Sequence, residues 1–304
     1  MRIEPDRVAV LGGGLIGRSW AALFLAAGKE VALFDPAVGA EARVRASVAQ
    51  AWPVLRELGL VAGPEAEVIF CTDPRAAVTG AGFVQESVPE QLSSKHALYA
   101  DIEDALLPDA IVASSASGLT LTELQGGWQN PSRFVLGHPF NPPHLIPLVE
   151  VMGNHRTAAG VVTAARRFYE SVGKVTIEMH REVPGHVANR LQAALWREAI
   201  HLVNEGVASV EDVDTAVSSG PGLRWAVLGP TQLFHLGADE GLLQFCEHYA
   251  DSFNRWWADL GSPFLDNETA GRLAAGLPAV DEDLAARRDT LLAAVVAATH
   301  PRSN

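Results

Sequence analysis

The stretch VAVLGGGLIGRSWAALFLAAG, residues 8–28, decides the fold of this chain. A short apolar strand pattern leads into Gly12, Gly14 and Gly17, which have the spacing G-x-G-x-x-G, and an amphipathic helix pattern follows. Glycines at these places permit a tight turn, a close approach of the backbone to a pyrophosphate, and close packing of helix on strand. The start of the helix adds free amides and a positive dipole end. The stretch therefore predicts a dinucleotide-binding turn.

The next strand pattern ends in the acidic residue that such a turn requires. EVALFD ends at Asp35, near the place about 20 residues on where a ribose-binding carboxylate is expected. A carboxylate there accepts hydrogen bonds from the ribose hydroxyls and repels a 2′-phosphate, and no arginine follows directly, so NAD is favoured over NADP. Leu15 and Ile16, inside the glycine turn, complete the predicted cofactor contacts. The alternative is a glycine-rich turn without a ligand.

Short apolar runs alternate with helical patterns up to about residue 180, as in a parallel sheet with crossover helices. Most runs are too apolar to alternate cleanly, which is typical of strands covered on both faces. We predict eight strands, at RVAVLG, EVALFD, EVIFCT, GFVQE, AIVASS, RFVLGH, PLVEVM and GKVTIEM. Helices are predicted at 18–27, 41–58, 92–102 and 158–172, the last with Thr157 as its N-cap.

The pattern changes at Pro184 and Gly185, beyond which only helices are predicted. HVANRLQAALWREAIHLVNEG is one long helix ending at Gly206, and Ser209 of the capping-box sequence SVED starts the next. Further helices are predicted near 231–236, 240–260, 268–276 and 282–298. The predicted fold class is α/β: a Rossmann-type NAD-binding domain with a doubly wound, mostly parallel sheet over 1–183. An all-α domain for substrate binding and dimerisation follows over 184–304.

Composition and charge narrow the range of partners. The 304 residues are 48% hydrophobic and 19% charged, typical of a globular protein, and the net charge of −13 argues against nucleic acid or an anionic membrane. No apolar run suits a membrane span and the N-terminus lacks a signal-peptide pattern, so we expect a cytoplasmic protein. Cys71 and Cys246 are too far apart for a zinc site or a disulfide framework; we expect no metal and both thiols reduced and buried. The apolar helical faces predict a homodimer.

A second stretch, GHPFNPPHLIPLVEV at 137–151, carries the candidate chemistry. His138 ends one predicted strand and Glu150 lies in the next, so adjacent strands can bring the two side chains together. A carboxylate on one ring nitrogen fixes the tautomer of the imidazole and strengthens the other nitrogen as a base. Such a base takes the hydroxyl proton when an alcohol is oxidised without a metal. The alternative is a structural pair without a catalytic role.

The sequence ESVPEQLSSK follows the fourth predicted strand, at the edge of the sheet where ligands bind in doubly wound folds. From there Glu90 and Lys95 are within reach of a nicotinamide ribose. The alternative for both residues is a solvated start of a helix.

Several motifs together resemble the 3-hydroxyacyl-CoA dehydrogenase family: the glycine turn, ESVPEQL, SSASGL, GHPFNPPHLIPLVEV, PGHVANRL and GLRWAVLGP. The resemblance covers the whole chain and is closest to the branch of lambda-crystallin and L-gulonate 3-dehydrogenase, with carnitine 3-dehydrogenase nearby. It implies that His138 is the general acid and base and that Glu150 orients it. It further implies that Ser117 and Asn189 bind the reacting oxygen and the histidine region, and that Asn141 supports the nicotinamide or the substrate.

The resemblance also assigns Glu90 and Lys95 to cofactor contacts. Without the resemblance, the structural interpretation is favoured for both residues: Ser117 as a turn residue before Gly118, and Asn189 as a cap or a solvated side chain.

The size of the substrate is inferred from the segment after Asp35. Acyl-CoA enzymes of the family carry a long basic arm there, whereas this chain has only about thirty residues before the third strand and no lysine among them. A short free 3-hydroxy acid is therefore favoured, with Arg224 of GPGLRWAVLGP, in a tight loop, as a fork for its carboxylate. Trp225 and Trp196 are candidates for a cage around a quaternary ammonium, as carnitine would require. A surface arginine and packed tryptophans are the alternatives.

We rank a sugar acid such as L-gulonate or another short 3-hydroxy acid first, a carnitine-like substrate second and an acyl-CoA third. The reaction expected is oxidation of the 3-hydroxyl to a ketone, with the proton taken by His138 and the hydride by NAD. A protein of another class, which binds NAD without turnover as a crystallin does, is the remaining alternative.

Overall fold

The computed structural model describes residues 5–279 and 283–300. Contacts divide the chain into two compact units: the first extends to Val187 and resumes at Arg288, and the second is Ala188–Arg287. The sequence prediction differs in setting the boundary after residue 183 and in assigning the whole final helix to the helical domain. The period of a helix shows which of its faces is apolar, but not which unit that face packs against.

The first unit contains one eight-stranded sheet. Its strands are β1 (Arg7–Leu11), β2 (Glu30–Phe34), β3 (Ile69–Cys71), β4 (Phe83–Glu86), β5 (Ile111–Ser114), β6 (Phe134–Pro139), β7 (Leu148–Met152) and β8 (Val175–Glu178). They are arranged in the order β3-β2-β1-β4-β5-β6-β7-β8. Strands β1 to β6 are parallel, β7 is antiparallel to β6, and β8 is parallel to β7. All eight predicted strands are present, and the doubly wound, mostly parallel sheet is confirmed.

Six helices cover this sheet: α1 (Leu15–Ala26), α2 (Ala40–Glu57), α3 (Pro74–Val78), α4 (Leu92–Ile102), α5 (Leu121–Gln125) and α6 (Val161–Ser171). The four helices predicted for this region correspond to α1, α2, α4 and α6, and each predicted bound lies within three residues of the observed one. The prediction missed α3 and α5, because a segment of five residues is too short to show a helical period.

The core forms two layers, one on each face of the sheet. Aromatic side chains of α1 and α6 fill the first layer, where the ring centroids of Phe83 and Phe168 are 3.9 Å apart and those of Trp20 and Phe24 are 5.1 Å apart. The second layer lies under α3, α4 and α5 and includes Tyr99. Because both faces are covered, the strands need continuous apolar runs, as their sequences show.

Thr157 does not cap α6, contrary to the prediction. The N-cap is Gly160, which has a φ of 82°, a conformation that glycine adopts without steric cost. Thr157 instead accepts a hydrogen bond from the amide of Asn154 at 3.2 Å and donates one to the carbonyl of Phe134 at 3.2 Å. The hydroxyl therefore fastens the turn after β7 to β6.

The second unit is helical. Its helices are α7 (Ala188–Asn204), α8 (Val210–Ser219), α9 (Pro221–Val227), α10 (Pro230–His235), α11 (Leu242–Asp259) and α12 (Asn267–Ala275), and α13 (Leu284–Thr299) starts in this unit and ends in the first. Ser209 caps α8 as predicted, accepting a hydrogen bond from the amide of Asp212 at 3.1 Å. Across 5–279 and 283–300, no helix is long and apolar enough to cross a membrane.

Two further predictions are wrong: that both cysteines are buried, and that Arg224 lies in a tight loop. Both cysteines are free, but Cys71 is only partly buried, at the end of the edge strand β3, and Cys246 is exposed on α11. The segment around Arg224 is not a tight loop: it is α9, because Pro221 occupies the first helical position, where its fixed φ favours a helix start.

Candidate active site

The glycine turn between β1 and α1 has the shape that a pyrophosphate needs. Gly12 has a φ of 95°, and a Cβ on it would lie 2.6 Å from the carbonyl oxygen of Ser87. A Cβ on Gly17 would lie 1.7 Å from the carbonyl oxygen of Gly12, so helix and strand approach closely only because this residue is glycine. Gly14 differs, because a Cβ there would meet nothing within 4 Å. It is the N-cap of α1 and no side chain caps it, which suits a phosphate ligand.

Asp35 lies directly beside this turn. Its Oδ2 accepts a hydrogen bond from the amide of Gly13 at 2.6 Å, and its Oδ1 accepts one from the amide of Ala37 at 2.8 Å. The carboxylate is thereby held where a ribose next to the pyrophosphate would present its hydroxyls. Of the other predicted turn residues, Leu15 is 55% exposed, whereas Ile16 packs partly against the core.

Replacing Asp35 with Ser should weaken the preference for NAD over NADP. We expect kcat/KM with NAD to fall about tenfold or more, since hydrogen bonds to a charged group are lost, while turnover with NADP rises because a 2′-phosphate is no longer repelled. Steady-state rates with both cofactors measure the change. Asp6→Ser is the matched control, because Asp6 is exposed and lies before β1. An unchanged cofactor preference would contradict the assignment of Asp35.

His138 and Glu150 form a buried pair across two strands. They are direct partners in the antiparallel register of β6 and β7, so the twelve residues between them bring the two side chains to one face. His138 Nδ1 lies 2.7 Å from Glu150 Oε2, and the side chains are 4% and 1% exposed. A carboxylate only accepts hydrogen bonds, so Nδ1 carries the proton and Nε2 presents a lone pair.

Ser117 completes this arrangement on its solvent side. Its Oγ lies 2.9 Å from His138 Nε2, and because that nitrogen is an acceptor in the neutral ring, the hydroxyl donates. Ser117 is exposed, whereas His138 is buried. A substrate hydroxyl that approaches Ser117 therefore also reaches the basic nitrogen. The chain brings together three of the four predicted catalytic side chains.

Glu90 holds the backbone next to Ser117. Its Oε1 accepts hydrogen bonds from three consecutive amides, those of Ser117 at 3.0 Å, Gly118 at 2.7 Å and Leu119 at 3.1 Å. The side chain is 43% exposed, so it is also open to a ligand. Its cofactor contact stays a prediction, and its visible role is to shape the turn that presents Ser117.

Lys95 is buried beside Glu86, and its predicted cofactor contact stays a prediction. It is 1% exposed, and its Nζ donates to Glu86 Oε1 at 2.6 Å and to the carbonyl of Val88 at 3.1 Å. Glu86 is wholly buried, and Tyr99 donates to its other oxygen at 2.7 Å. Burial, and then the charge of Glu86, raise the pKa of Tyr99, so the phenol stays a neutral donor. Sequence reasoning missed Glu86, because a polar residue inside an apolar strand gives no sign of its partners.

Asn141 is exposed in the loop after β6, and Lys174 anchors that loop. The buried ammonium of Lys174 donates to the carbonyls of Pro143 and Ile146, the latter at 2.8 Å, and lies 5.0 Å from the ring centroid of Trp20. Burial lowers the pKa of Lys174 to about 7. The lysine therefore stabilises the loop that carries Asn141, and the predicted contact of Asn141 with nicotinamide or substrate stays a prediction.

Two residues just before α7 make hydrogen bonds to the catalytic pair and to the backbone next to Ser117. The amide of Val187 donates to Glu150 Oε1 at 2.9 Å, so both oxygens of this carboxylate are held. His186 Nε2 lies 3.1 Å from the carbonyl oxygen of Ala116, the residue before Ser117. Both contacts were missed from sequence, although PGHVANRL was singled out as a motif.

The remaining predicted residues belong to the second unit. Asn189 is half-buried in the first turn of α7, and Arg224 and Trp225 lie on α9, where Trp225 is 38% exposed. Trp196 on α7 is 51% exposed. Their roles toward the substrate stay predictions.

Comparison with known families identifies both parts of the chain. The NAD-binding domain of 3-hydroxyacyl-CoA dehydrogenase matches residues 7–183, and the C-terminal domain of the same family matches residues 185–272. The predicted family and NAD as the predicted cofactor are thereby confirmed.

Individual relatives align with nearly the whole chain. An L-carnitine dehydrogenase of Streptomyces coelicolor is 48% identical over 300 residues, 96% of this chain and 94% of its own. An L-carnitine dehydrogenase of Pseudomonas aeruginosa is 44% identical over 275 residues, 90% of this chain and 86% of its own. These names match the second-ranked alternative from sequence rather than L-gulonate.

A solved structure agrees with the fold over the whole chain. The crystal structure of 5-formyl-3-hydroxy-2-methylpyridine 4-carboxylic acid 5-dehydrogenase, an NAD+-dependent dismutase, is 33% identical with a TM-score of 0.87, covering 98% of this chain and 99% of its own. The sequence, the fold and the arrangement of the site lead to one conclusion. The chain belongs to the 3-hydroxyacyl-CoA dehydrogenase family and is an NAD-dependent oxidoreductase that acts on a CH–OH group.

Proposed function

We propose that this protein is an L-carnitine dehydrogenase, which oxidises the 3-hydroxyl of L-carnitine to the ketone with NAD as acceptor. The observation that carries the proposal is the set of relatives: eight L-carnitine dehydrogenases are 40% to 48% identical over 90% to 99% of this chain. This substrate replaces L-gulonate as the first choice.

The catalytic pair supplies the proton chemistry of this reaction. His138 Nε2 takes the proton of the 3-hydroxyl while the C3–H bond breaks and the C–O bond becomes a carbonyl. Glu150 keeps the proton on Nδ1 and stabilises the imidazolium that forms. Ser117 positions the hydroxyl oxygen beside Nε2. NAD, when bound at the glycine turn, accepts the hydride.

The segment after β2 supports a free acid rather than an acyl-CoA. It contains no lysine, and its three arginines are Arg43, Arg45 and Arg56. Arg45 is paired with Glu41 at 2.8 Å and Glu67 at 2.9 Å, and Arg43 donates to a backbone carbonyl nearby. Few cationic groups are therefore left for the phosphates of a 3′-phospho-ADP group.

A substrate panel tests the proposal. NADH formation is followed with L-carnitine, L-gulonate, L-3-hydroxybutyrate and L-3-hydroxybutyryl-CoA under identical conditions. We expect kcat/KM for L-carnitine to exceed that for each other compound at least about tenfold. Faster turnover of L-gulonate would restore the ranking made from sequence, and turnover of the thioester alone would overturn the free-acid argument. NAD binding without any turnover would favour a crystallin-like binding protein.

The predicted homodimer is part of the same proposal. Taken by itself, the helical unit exposes large apolar side chains, among them Leu243 at 81%, Phe264 at 80% and Trp257 at 63%. Exposed apolar side chains in this number favour a protein partner, and a second copy of the chain is the partner we propose.

A further inference from the structure

A second histidine lies against the catalytic one. The ring centroids of His186 and His138 are 4.8 Å apart, and each residue is only 3% exposed. His186 has a φ of 51°, in the left-handed region that few non-glycine residues adopt. The backbone is therefore held in an uncommon conformation at the residue whose ring contacts the base, which is typical of functional positions.

The hydrogen bonding of His186 leaves one nitrogen without a partner. The carbonyl of Ala116 only accepts, so Nε2 carries the proton of the neutral ring and Nδ1 is an acceptor. This Nδ1 is buried, and none of the described residues donates to it or binds it. Buried polar atoms are nearly always paired, so such an atom beside the catalytic base points to a ligand that completes it.

Three ionisable groups act on this ring: His138 from β6, Glu150 from β7 and Glu90 from the loop after β4. Burial is the largest effect and lowers the pKa of His186, and His138 lowers it further, whereas the Ala116 carbonyl and the two carboxylates raise it. The ring is therefore neutral near pH 7 in the free protein. A negative group placed at Nδ1 would favour the protonated form.

We propose that His186 binds the free carboxylate of the substrate, taking up one proton at Nδ1 as the substrate enters. The inference rests on the proposed function and deepens it. In a 3-hydroxy acid the carboxyl carbon is two bonds from the carbon that bears the hydroxyl. A group that binds the carboxylate must therefore lie close to His138, and the ring centroid of His186 is 4.8 Å from that of His138.

The test compares L-carnitine with L-carnitinamide, which keeps the hydroxyl and the trimethylammonium but has no carboxylate. His186→Asn removes the cation at a position whose positive φ asparagine tolerates. The shorter side chain also loses the hydrogen bond to Ala116, and the amide substrate measures that structural effect separately. We expect KM for L-carnitine to rise at least about tenfold in this variant, as for a lost charge-assisted hydrogen bond, and KM for L-carnitinamide to change little. His155→Asn is the matched control, since His155 is exposed in the same unit.

Proton uptake gives a second measurement that does not depend on turnover. Calorimetric titration of L-carnitine into the enzyme–NADH complex, in buffers of different ionisation enthalpy, should show about one more proton taken up by wild type than by His186→Asn. The direction of the pH dependence of KM follows from this proton uptake. Above the lowered pKa of His186 in the free enzyme, the ring must be protonated before it binds the carboxylate. KM for L-carnitine should then rise with pH, by up to about tenfold per unit, and KM for L-carnitinamide should not.

Equal losses with the acid and the amide would show that His186 is only structural and would overturn the inference. So would an acid-selective loss in Arg224→Gln together with an unchanged His186→Asn. If wild type fails to oxidise L-carnitine, the proposed function fails by itself. The role of His186 is then decided by the same comparison with L-3-hydroxybutyrate and its amide.

Discussion

His138→Gln should lower kcat by about 10²–10⁴-fold, the usual contribution of a general base, without weakening the binding of NAD. In the Glu150–His138–Ser117 chain, the ring of His138 lies between the carboxylate and the hydroxyl, and its Nε2 is the basic atom next to Ser117. Single-turnover rates with L-carnitine and fluorescence titration with NADH separate the two quantities. A variant that keeps more than about a tenth of the wild-type kcat would show that another group removes the proton.

Two further variants make this prediction specific. Glu150→Gln keeps an oxygen that can accept from Nδ1 but loses the charge that stabilises the imidazolium, so its loss in kcat should be smaller than that of His138→Gln. His180→Gln is the control, because His180 is exposed in the loop after β8 and should turn over at the wild-type rate.

Glu86→Gln should be among the most destabilising single changes in the first unit. Glu86 and Lys95 are both fully buried and joined at 2.6 Å, and Tyr99 and Ser114 donate to the other carboxylate oxygen at 2.7 Å and 2.6 Å. Removing the negative charge leaves the buried ammonium of Lys95 with the Val88 carbonyl and with Glu90, whose carboxylate is 4.0 Å away and partly exposed. We expect a cost of about 3 kcal/mol in free energy of unfolding, at the low end for a broken buried ion pair. We expect the melting temperature to fall by roughly 10 °C in a thermal scan with NAD present.

An exposed ion pair of the same unit provides the control. Arg166 and Glu178 lie 3.0 Å apart with side chains 34% and 38% exposed, so Glu178→Gln should cost less than about 1 kcal/mol. The double change Glu86→Gln and Lys95→Met removes both charges and should recover much of the loss. If Glu86→Gln lowered the free energy of unfolding no more than Glu178→Gln does, the buried Glu86–Lys95 pair would not be a principal source of stability.

The parts of the candidate site that are formed by residues close together in the sequence could be predicted from local patterns. Gly12, Gly14 and Gly17 fall at fixed offsets after a strand, and Asp35 ends the next strand, so the cofactor turn is encoded within about thirty residues. Predicting the contact between His138 and Glu150 required one more inference, that the chain turns back after β6 so that β7 lies beside it. The prolines between the two strands suggest this turn.

The residues that sequence reasoning missed depend on tertiary contacts. For Lys95 the sequence allowed a cofactor contact or a solvated start of a helix, and only the fold shows that it is buried beside Glu86 of the preceding strand. His186 lies 48 positions after His138 in sequence, so no local period relates the two rings. The relatives are named for L-carnitine, which ranked second from sequence, because the identity of a small acid depends on groups spread over many segments.

The amino-acid sequence by itself determined the strands and the four longer helices of the first unit, the glycine turn and the use of NAD, since each follows from periodicity or spacing over a few residues. Only the tertiary structure decided which further groups meet around the His138–Glu150 pair that the sequence predicted. Parallel strands bring the ends of distant segments to one edge of the sheet, and burial there makes a lone charge or an unpaired nitrogen costly. Partners such as Glu86 for Lys95, Val187 for Glu150 and His186 for His138 are therefore selected by the folded chain.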